Sequence, residues 1–489
     1  MSDEVYRGMA SATSGFVESP AGCEKTEAIV RTVGRYCGGC QLILTHTHAG
    51  VDALRQRFRE HNIPSGKFHI DTIAGWCWGW VRRYPGNAGY CSSTEIAIWR
   101  EVYAGMSNLL QKSFVRKGVL NSYAGVIIGE YQDCTASMHR VIAELKLLLP
   151  CRVLGDDLQA IFGFSAEPLI GWSDVKGEFV NDLGILETPH RWIKADNRPL
   201  GEWLLSTRHF FKEGREPDYR GAPIDRRTIS YAELSTQLIR LTHEKEGRIC
   251  VIGPKARPLP AGIETTLVNH NYRFLEPNEL STLRALILVL SDGSFAERSE
   301  AALKFLTRTH SGFSQNESAF IQKILKGERQ RPRSSDRQRL CGIHNAGVTP
   351  SLLFDLLQYI DGRPEILCKL RESVSALKCI LEGHIQSGTD LKTMYRDEIA
   401  RRKYQNRSHV YRCVGSTLLV KGLEFDHAVI LRGSDWQTSW GNHNDVYVAL
   451  TRGSKSTSLM ELTWSGFVFL EEIKSQLNQG KNQVSDFYF

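Results

Sequence analysis

The spacing of apolar positions divides the first two hundred residues into alternating strands and helices. Gly15–Ser19 is predicted as a short strand running into a turn, Lys25–Tyr36 as a helix and Gln41–Thr45 as a strand. Val51–His61 reads as an amphipathic helix, with Leu54 and Phe58 one turn apart on its apolar face. Gly125–Gly129 and Cys151–Gly155 are apolar runs of strand length, and Met138–Leu149 between them has a helical period. Apolar strands alternating with helices predict a parallel sheet covered on both faces. A second such pattern begins near Thr228, with a helix over Glu233–His243 and a strand over Arg248–Gly253. It breaks off near Leu280, and from there to Arg402 the chain reads as mostly helical and polar. Strand signals return at Val410–Val414, His427–Leu431 and Ser456–Thr463. This order predicts two α/β units, the second interrupted by a helical insertion.

Composition narrows the class without identifying it. A chain of 489 residues, 42% hydrophobic and 24% charged, is globular and suggests two to four domains. Disordered, collagenous and coiled-coil classes are excluded. Apolar runs such as Leu283–Leu290 fall far short of the ~20 residues that cross a bilayer. Met1–Glu4 shows no basic segment leading into an apolar core, so a cytoplasmic chain with reduced thiols is expected. The net charge of +7 permits a nucleic-acid partner without requiring one. Cys37 and Cys40 form a C-x-x-C with no second pair at zinc-ribbon spacing, which favours a structural role over a metal site.

Candidate chemistry begins where the first strand meets the first long helix. Ser19, Pro20, Ala21, Gly22, Cys23, Glu24, Lys25 and Thr26 occupy the place of a phosphate-binding loop. In such a loop backbone N–H groups cradle phosphates, the lysine reaches the β/γ-phosphates, and the hydroxyl holds Mg²⁺. Ser19 and Glu24 stand at the two glycine positions of that pattern. The apolar run ending at Gly129 leads into Glu130-Tyr131-Gln132-Asp133, and a strand ending in carboxylates suits a metal or an attacking water. Gly155-Asp156-Asp157-Leu158-Gln159, followed by Phe162 and Phe164, is a third polar strand end.

Taken in order, these segments resemble the UvrD/Rep-like superfamily 1A DNA helicases. Glu130–Asp133 is similar to the family's D-E-x-Q-D segment, and Gly155–Gln159 to G-D-x-x-Q. Leu186–Arg191 resembles L-x-x-N-Y-R, Lys421–Phe425 reads K-G-L-E-F, and Tyr447–Arg452 reads Y-V-A-x-T-R. Thr45, His46 and Arg57 look like a first single-strand contact segment, and Phe68–Trp76 like the next.

The resemblance implies an α/β fold of two RecA-like P-loop domains with ATP and Mg²⁺ between them. Residues 1–83 and 123–200 would form the first domain around a short helical insertion at 84–122. Residues 201–280 and 403–489 would form the second around an insertion at 281–402. Lys25 would neutralise phosphate, Thr26 and Glu130 would hold the metal, and Glu130 would also activate water. Gln159 would sense the γ-phosphate, Arg191 and Arg452 would act as arginine fingers, and Gly422 and Glu424 would lie against the nucleotide. Trp76, Phe162 and Phe164 would offer stacking faces to DNA.

The implied activity is ATP-dependent 3′–5′ movement on single-stranded or partly duplex DNA, in repair or antiphage defence. The short form also resembles the helicase subunit of Gabija-type antiphage systems, which works beside a nuclease–ATPase partner. The departures favour an alternative, a catalytically impaired module that binds DNA or a partner. Glu24 replaces a loop glycine, Gly129 replaces a metal-binding aspartate, Leu418 stands where the family has histidine, and Ser165 begins the segment where it has R-G-A. The adenine-reading N-terminal glutamine has no equivalent, since the first glutamine is Gln41.

Overall fold

The computed structural model describes residues 2–90, 99–161, 167–254, 263–275, 281–328, 337, 340, 348–403, 410–433 and 442–463. The chain opens with helix α1 (Ser2–Ser11), then β1 (Ser14–Glu18), α2 (Lys25–Arg35), β2 (Gln41–Thr45), α3 (His48–Glu60) and β3 (Phe68–Thr72). The helices α4 (Ile73–Arg83), α5 (Pro85–Ala88), α6 (Trp99–Leu110) and α7 (Ser113–Ser122) precede β4 (Gly125–Ile128). Then come α8 (Ala136–Lys146), β5 (Cys151–Gly155), α9 (Trp172–Glu178) and β6 (Asp182–Ile185). These strands form one parallel sheet in the order β3-β2-β4-β5-β1-β6.

Both faces of this sheet are covered, as its apolar strands require. Leu42, Leu44, Val126, Ile128 and Val153 pack with α4, α6 and α8 on one side. The alternate residues Ile43, Ile127, Val17 and Leu154 pack with α1, α2 and α3 on the other. Strands β2 and β5 are buried at every position, so both faces of their central residues, Leu42–Leu44 and Val153–Leu154, are apolar. Threonines start three of the helices around this sheet: the hydroxyls of Thr47, Thr72 and Thr135 accept backbone N–H bonds from Gly50, Gly75 and Met138. The Thr47 cap begins α3 at His48, three residues before the apolar period becomes visible.

Helices α10 (His190–Lys194), α11 (Arg198–Ser206) and α12 (Arg208–Lys212) lead to the second sheet. It is built from β7 (Asp225–Ser230), β8 (Ile249–Gly253) and β9 (Arg273–Phe274), with α13 (Tyr231–Glu244) and α14 (Glu264–Asn269) between them. A helical region follows: α15 (Ser281–Asp292), α16 (Phe295–Thr309), α17 (Gln315–Leu325), α18 (Pro350–Asp361), α19 (Arg371–Ser387) and α20 (Leu391–Lys403). Its own apolar core includes Leu283, Phe305, Ile324, Leu353 and Leu377, and a small antiparallel ladder joins β10 (His310–Ser311) to β11 (Leu367–Cys368). The chain then returns to the second sheet with β12 (Arg412–Ser416), α21 (Thr417–Val420), β13 (Phe425–Gly433), α22 (His443–Leu450) and β14 (Gly453–Thr463).

The second sheet is parallel in the order β7-β14-β13-β8-β12-β9. Ile252, Ala428 and Ile430 face one layer, while Val251, Val429 and Leu431 face the other. The protein is therefore an α/β chain of two RecA-like parallel sheets, each sandwiched by helices. Among the described residues no helix is long and apolar enough to cross a membrane, and no group of three or more His, Cys, Asp or Glu side chains is placed to hold a metal ion. Cys37 and Cys40 lie in the turn between α2 and β2 with free thiols.

One buried cation ties α1 to the sheet. Arg152 on β5 donates from Nε to the Met9 carbonyl (2.5 Å), from Nη2 to Ala10 (3.3 Å) and from Nη1 to Pro150 (3.0 Å). It thereby satisfies carbonyls at the C-terminal end of α1, where a positive charge also meets the helix dipole favourably. Arg152→Met is expected to lower unfolding free energy by about 2–3 kcal/mol, because charged hydrogen bonds to buried carbonyls go unmade. Amide exchange should accelerate selectively in α1, and unchanged exchange there would contradict this role.

Candidate nucleotide site between the two sheets

In a parallel sheet the strands end along one edge, and ligands bind in the crevice outside that edge. Here β1, β4 and β5 end side by side in the segments Ser19–Glu24, Gly129–Asp133 and Asp156–Gln159. The N-terminus of α2 has no side-chain cap, so its first N–H groups form an anion-binding end. The loop before it is shaped by Asp156, whose Oδ2 accepts the Ala21 N–H at 3.0 Å. Gly22 adopts φ +72°, and a Cβ there would lie 2.5 Å from the Trp192 ring, so only glycine fits.

Glu24 takes the left-handed conformation, φ 54° and ψ 47°. A glycine would adopt it without strain, whereas an L-residue pays roughly 1–2 kcal/mol. The Glu24 carboxylate turns toward α10, pairing with the Lys194 ammonium and lying 3.8 Å from His190 Nδ1. Cys23 is buried, and burial pushes its thiol up to about 12. Pro20 and Ala21 complete the buried part of the loop, while Thr26 is half-buried on the first turn of α2.

Lys25 Nζ donates to Glu130 Oε2 at 2.8 Å. Gln132 Nε2 donates to the same oxygen at 2.7 Å. Burial acts to raise the Glu130 pKa, but Lys25, Gln132 and Lys421 outweigh it and hold the value at about 2. Glu130 is also left-handed, with φ 57°. Beside it, a Cβ on Gly129 would meet only Ile29 Cδ1 at 3.7 Å, so a larger side chain has room there.

The second sheet supplies the facing wall. Lys421 Nζ crosses to Asp133, at 2.5 and 2.7 Å from its two oxygens, and to the Gln159 carbonyl at 2.5 Å. Burial dominates this pair: it pushes Asp133 up to about 6 and Lys421 down. Arg452 is enclosed, its Nε bonded to the Val448 carbonyl (2.9 Å) and its Nη2 lying 3.4 Å from Gln159 Oε1. Burial, with Arg191 adding to it, pulls Arg452 down to about 10. Arg191 donates to the Thr451 carbonyl at 2.6 Å and to Glu424, while its Nε is buried without an acceptor among the described residues. Gly422 precedes Glu424 in the left-handed region, φ +79°.

The structure thus gathers Lys25, Thr26, Glu130, Gln159, Arg191, Glu424 and Arg452 around one crevice. Among the other candidates, His46 adjoins the crevice, close enough to feel the charges of Glu130, Lys421 and Lys25, while Trp76 and Arg57 lie away from it. Trp76, expected on a strand-binding face, is 3% exposed in the core with its ring edge toward Trp80. Arg57 pairs with Glu27 (3.7 Å) and Glu60 (3.2 Å) on the α2–α3 side. Thr45 is buried at the end of β2, and His46, pulled down to about 4 by burial, contacts Cys134 Sγ at 3.4 Å. Phe162, Phe164 and Ser165 lie outside the described residues.

The sequence reading missed Arg208, which lies in none of the quoted motifs. It donates to Tyr447 Oη (2.6 Å) and Glu18 (2.7 Å) and pairs with Asp156 at 2.9 Å. It also missed Asp133 and Lys421 as a pair, although both stand inside quoted segments.

The donors present fit phosphate: an uncapped helix end, Lys25, Arg452, and an Arg191 Nε–H still without an acceptor. For Mg²⁺ the chain offers the Thr26 hydroxyl and the Glu130 carboxylate, a set that suits an ion completed by phosphate oxygens and water.

No protein-family model matches the chain, and no curated protein does. Among solved structures the chain is similar to an arterivirus nonstructural protein 10 helicase, with TM-score 0.36 and 10% identity over 96% of this chain and 64% of that one. The complex of arterivirus nonstructural protein 10 with DNA gives TM-score 0.35 and 9% identity, over 96% and 65%. The chain therefore spans less than two thirds of the length of those helicases.

Two outcomes follow from the charges. Lys421→Met leaves Asp133 buried and unpaired, which is expected to cost about 3–5 kcal/mol in denaturant unfolding, while Asp133→Asn with Lys421→Met should recover most of it. No recovery in the double variant would show that Lys421 acts through other contacts. Because Glu130 is held below its ordinary 4.5, its stabilising contribution is complete above that pH and is lost as pH falls toward about 2. Lys25→Met should flatten that acid limb between about pH 5 and 3; an unaltered limb would contradict the pairing.

Proposed function

We propose that this chain is an ATP-dependent nucleic-acid motor of the UvrD-like helicase type, with hydrolysis attenuated by Glu24 and Gly129. The observation that carries the reading is the convergence of Lys25, Gln159, Arg191 and Arg452, from both sheets, on the uncapped end of α2. Positive groups arranged around a helix N-terminus favour the charge that builds on a transferring phosphoryl group.

In this reading Lys25 and the α2 amides bind the β- and γ-phosphates. Gln159, whose Oε1 already faces Arg452, relays the phosphate state to the second sheet. Glu130 is ionised, as its depressed pKa requires, and positions the attacking water. Mg²⁺ held by Thr26 and Glu130 would supply neutralising charge. Movement would run 3′–5′ along single-stranded DNA in the cytoplasm, in repair or in antiphage defence beside a nuclease–ATPase partner.

Two features set the rate in this proposal. Glu24 places a carboxylate and a Cβ where the phosphate loop of the resembled family has glycine, and Gly129 withholds a second metal-binding carboxylate. The same features favour the second reading, a module that binds nucleotide or DNA without turnover. DNA-stimulated phosphate release by the unmodified chain is expected to be slow. Glu24→Gly with Gly129→Asp should raise it at least about tenfold, equivalent to about 1.4 kcal/mol of barrier, and adding Arg452→Ala should then lower it by ~10³. Fast turnover by the unmodified chain would remove the attenuation. A double variant with no turnover at all would favour the binding module.

A further inference from the structure

Outside the crevice, one surface of the first unit combines exposed aromatic rings with a cluster of positive charge. Tyr84 at the end of α4 is 37% exposed and Phe114 on the first turn of α7 is 43% exposed. Their rings meet edge to face at 5.1 Å, and Tyr84 lies nearly parallel to Trp80, 6.1 Å away at 29°. Trp80 is held on its other side by α7, where a Cβ on Gly118 would approach its Cη2 to 3.2 Å. Large aromatics exposed together on a soluble surface mark a contact site rather than chance.

The charges on the helices that carry these rings have one sign. Arg82 and Arg83 end α4, Lys112 precedes α7, and Arg116 and Lys117 lie within it. Neither helix, nor α5, carries a carboxylate; the acidic side chain of α6, which lies between α5 and α7, is Glu101 on its first turn. Aromatic faces flanked by cations bind single-stranded nucleic acid without sequence preference, since every base has a face to stack and every phosphate a charge. A protein partner of ordinary surface would bring both signs of charge. We propose that Trp80, Tyr84 and Phe114, with Arg83 and Lys117, form a stacking site for single-stranded nucleic acid. It takes the role that sequence reasoning had given to Trp76, one helical turn deeper in the core. The proposal rests on the motor reading for its ligand class and extends it to a surface away from the crevice.

The test uses the full chain and fluorescein-labelled oligo-dT and oligo-rU, followed by anisotropy. Tyr84→Ala with Phe114→Ala is expected to weaken binding about tenfold or more, whereas Tyr84→Phe with Phe114→Tyr keeps it. Arg83→Gln and Lys117→Gln should each lower the slope of log affinity against log salt by about 0.7. An oligonucleotide carrying 5-iododeoxyuridine should photocrosslink to peptides containing Tyr84 or Phe114. Unchanged affinity in the double alanine variant, or equal loss in the ring-retaining variant, overturns the stacking site while the motor reading stands on the wild-type binding. Unchanged affinity together with capture of a protein on this patch assigns it to a protein partner and overturns the proposal. Absence of oligonucleotide binding by the wild-type chain overturns the motor reading itself.

Discussion

A carboxylate buried at the end of a strand must find cations and donors or lose its charge, and Asp156 shapes the crevice by this requirement. Burial works against its ionised form, yet Arg208, Gln159 and Lys25 hold it below the ordinary carboxylate range. Its Oδ2 takes the Ala21 N–H of the loop before α2 and the Gln159 amide at 2.9 Å, with Tyr447 Oη at 3.4 Å. Arg208 closes the other oxygen. One anion therefore fixes the loop before α2, the glutamine that faces Arg452, the α12 cation and the first residues of the Y-V-A-x-T-R segment. On the proposed reading, this node is one route, beside Arg191–Thr451 and Lys421–Asp133, by which phosphate occupancy at α2 reaches the second sheet.

The two left-handed glutamates make sense beside it. Glu24 and Glu130 each accept backbone strain of the kind that persists only where the surroundings over-determine it. For Glu130 the surroundings are the Lys25 and Gln132 bonds, which fix the carboxylate at the mouth of the crevice. For Glu24 they are Lys194 and His190, which draw its charge toward α10 and away from Lys25. A carboxylate so engaged repels phosphate less than its position in the motif suggests. That is the physical ground for treating the site as attenuated rather than closed.

Much of the fold was legible because buried parallel strands carry apolar residues on both faces: Gln41–Thr45 and Cys151–Gly155, despite Gln41, Thr45 and Arg152, coincide with their predicted runs. The edge strands were not. Asp182–Ile185 and Asp225–Ser230 are half exposed and mix polar with apolar residues, so no period betrays them. The α8 helix ends three residues before its apolar pattern does, in a turn over Leu147–Leu149 whose N–H groups still bond back to Glu144 and Leu145. The crevice was legible wherever a motif spans it, as with Lys25 and Glu130. Arg208 was not, because a lone arginine on a short helix becomes significant only when folding sets it against Asp156 and Tyr447. Trp76 misled for the complementary reason: an aromatic beside a polar turn reads as a contact residue, and only the packing of α4 against α6 shows that its ring belongs to the core.

The central claim is that the N-terminus of α2, with Lys25, is a nucleotide-phosphate site. Calorimetric titration of ATP into the unmodified chain and into Lys25→Ala tests it most directly, since binding is read without any need for turnover. The account predicts measurable affinity in the unmodified chain and a loss of about tenfold or more with Lys25→Ala, as removal of a charged hydrogen-bond donor to phosphate requires. Equal affinity in the two proteins would contradict it.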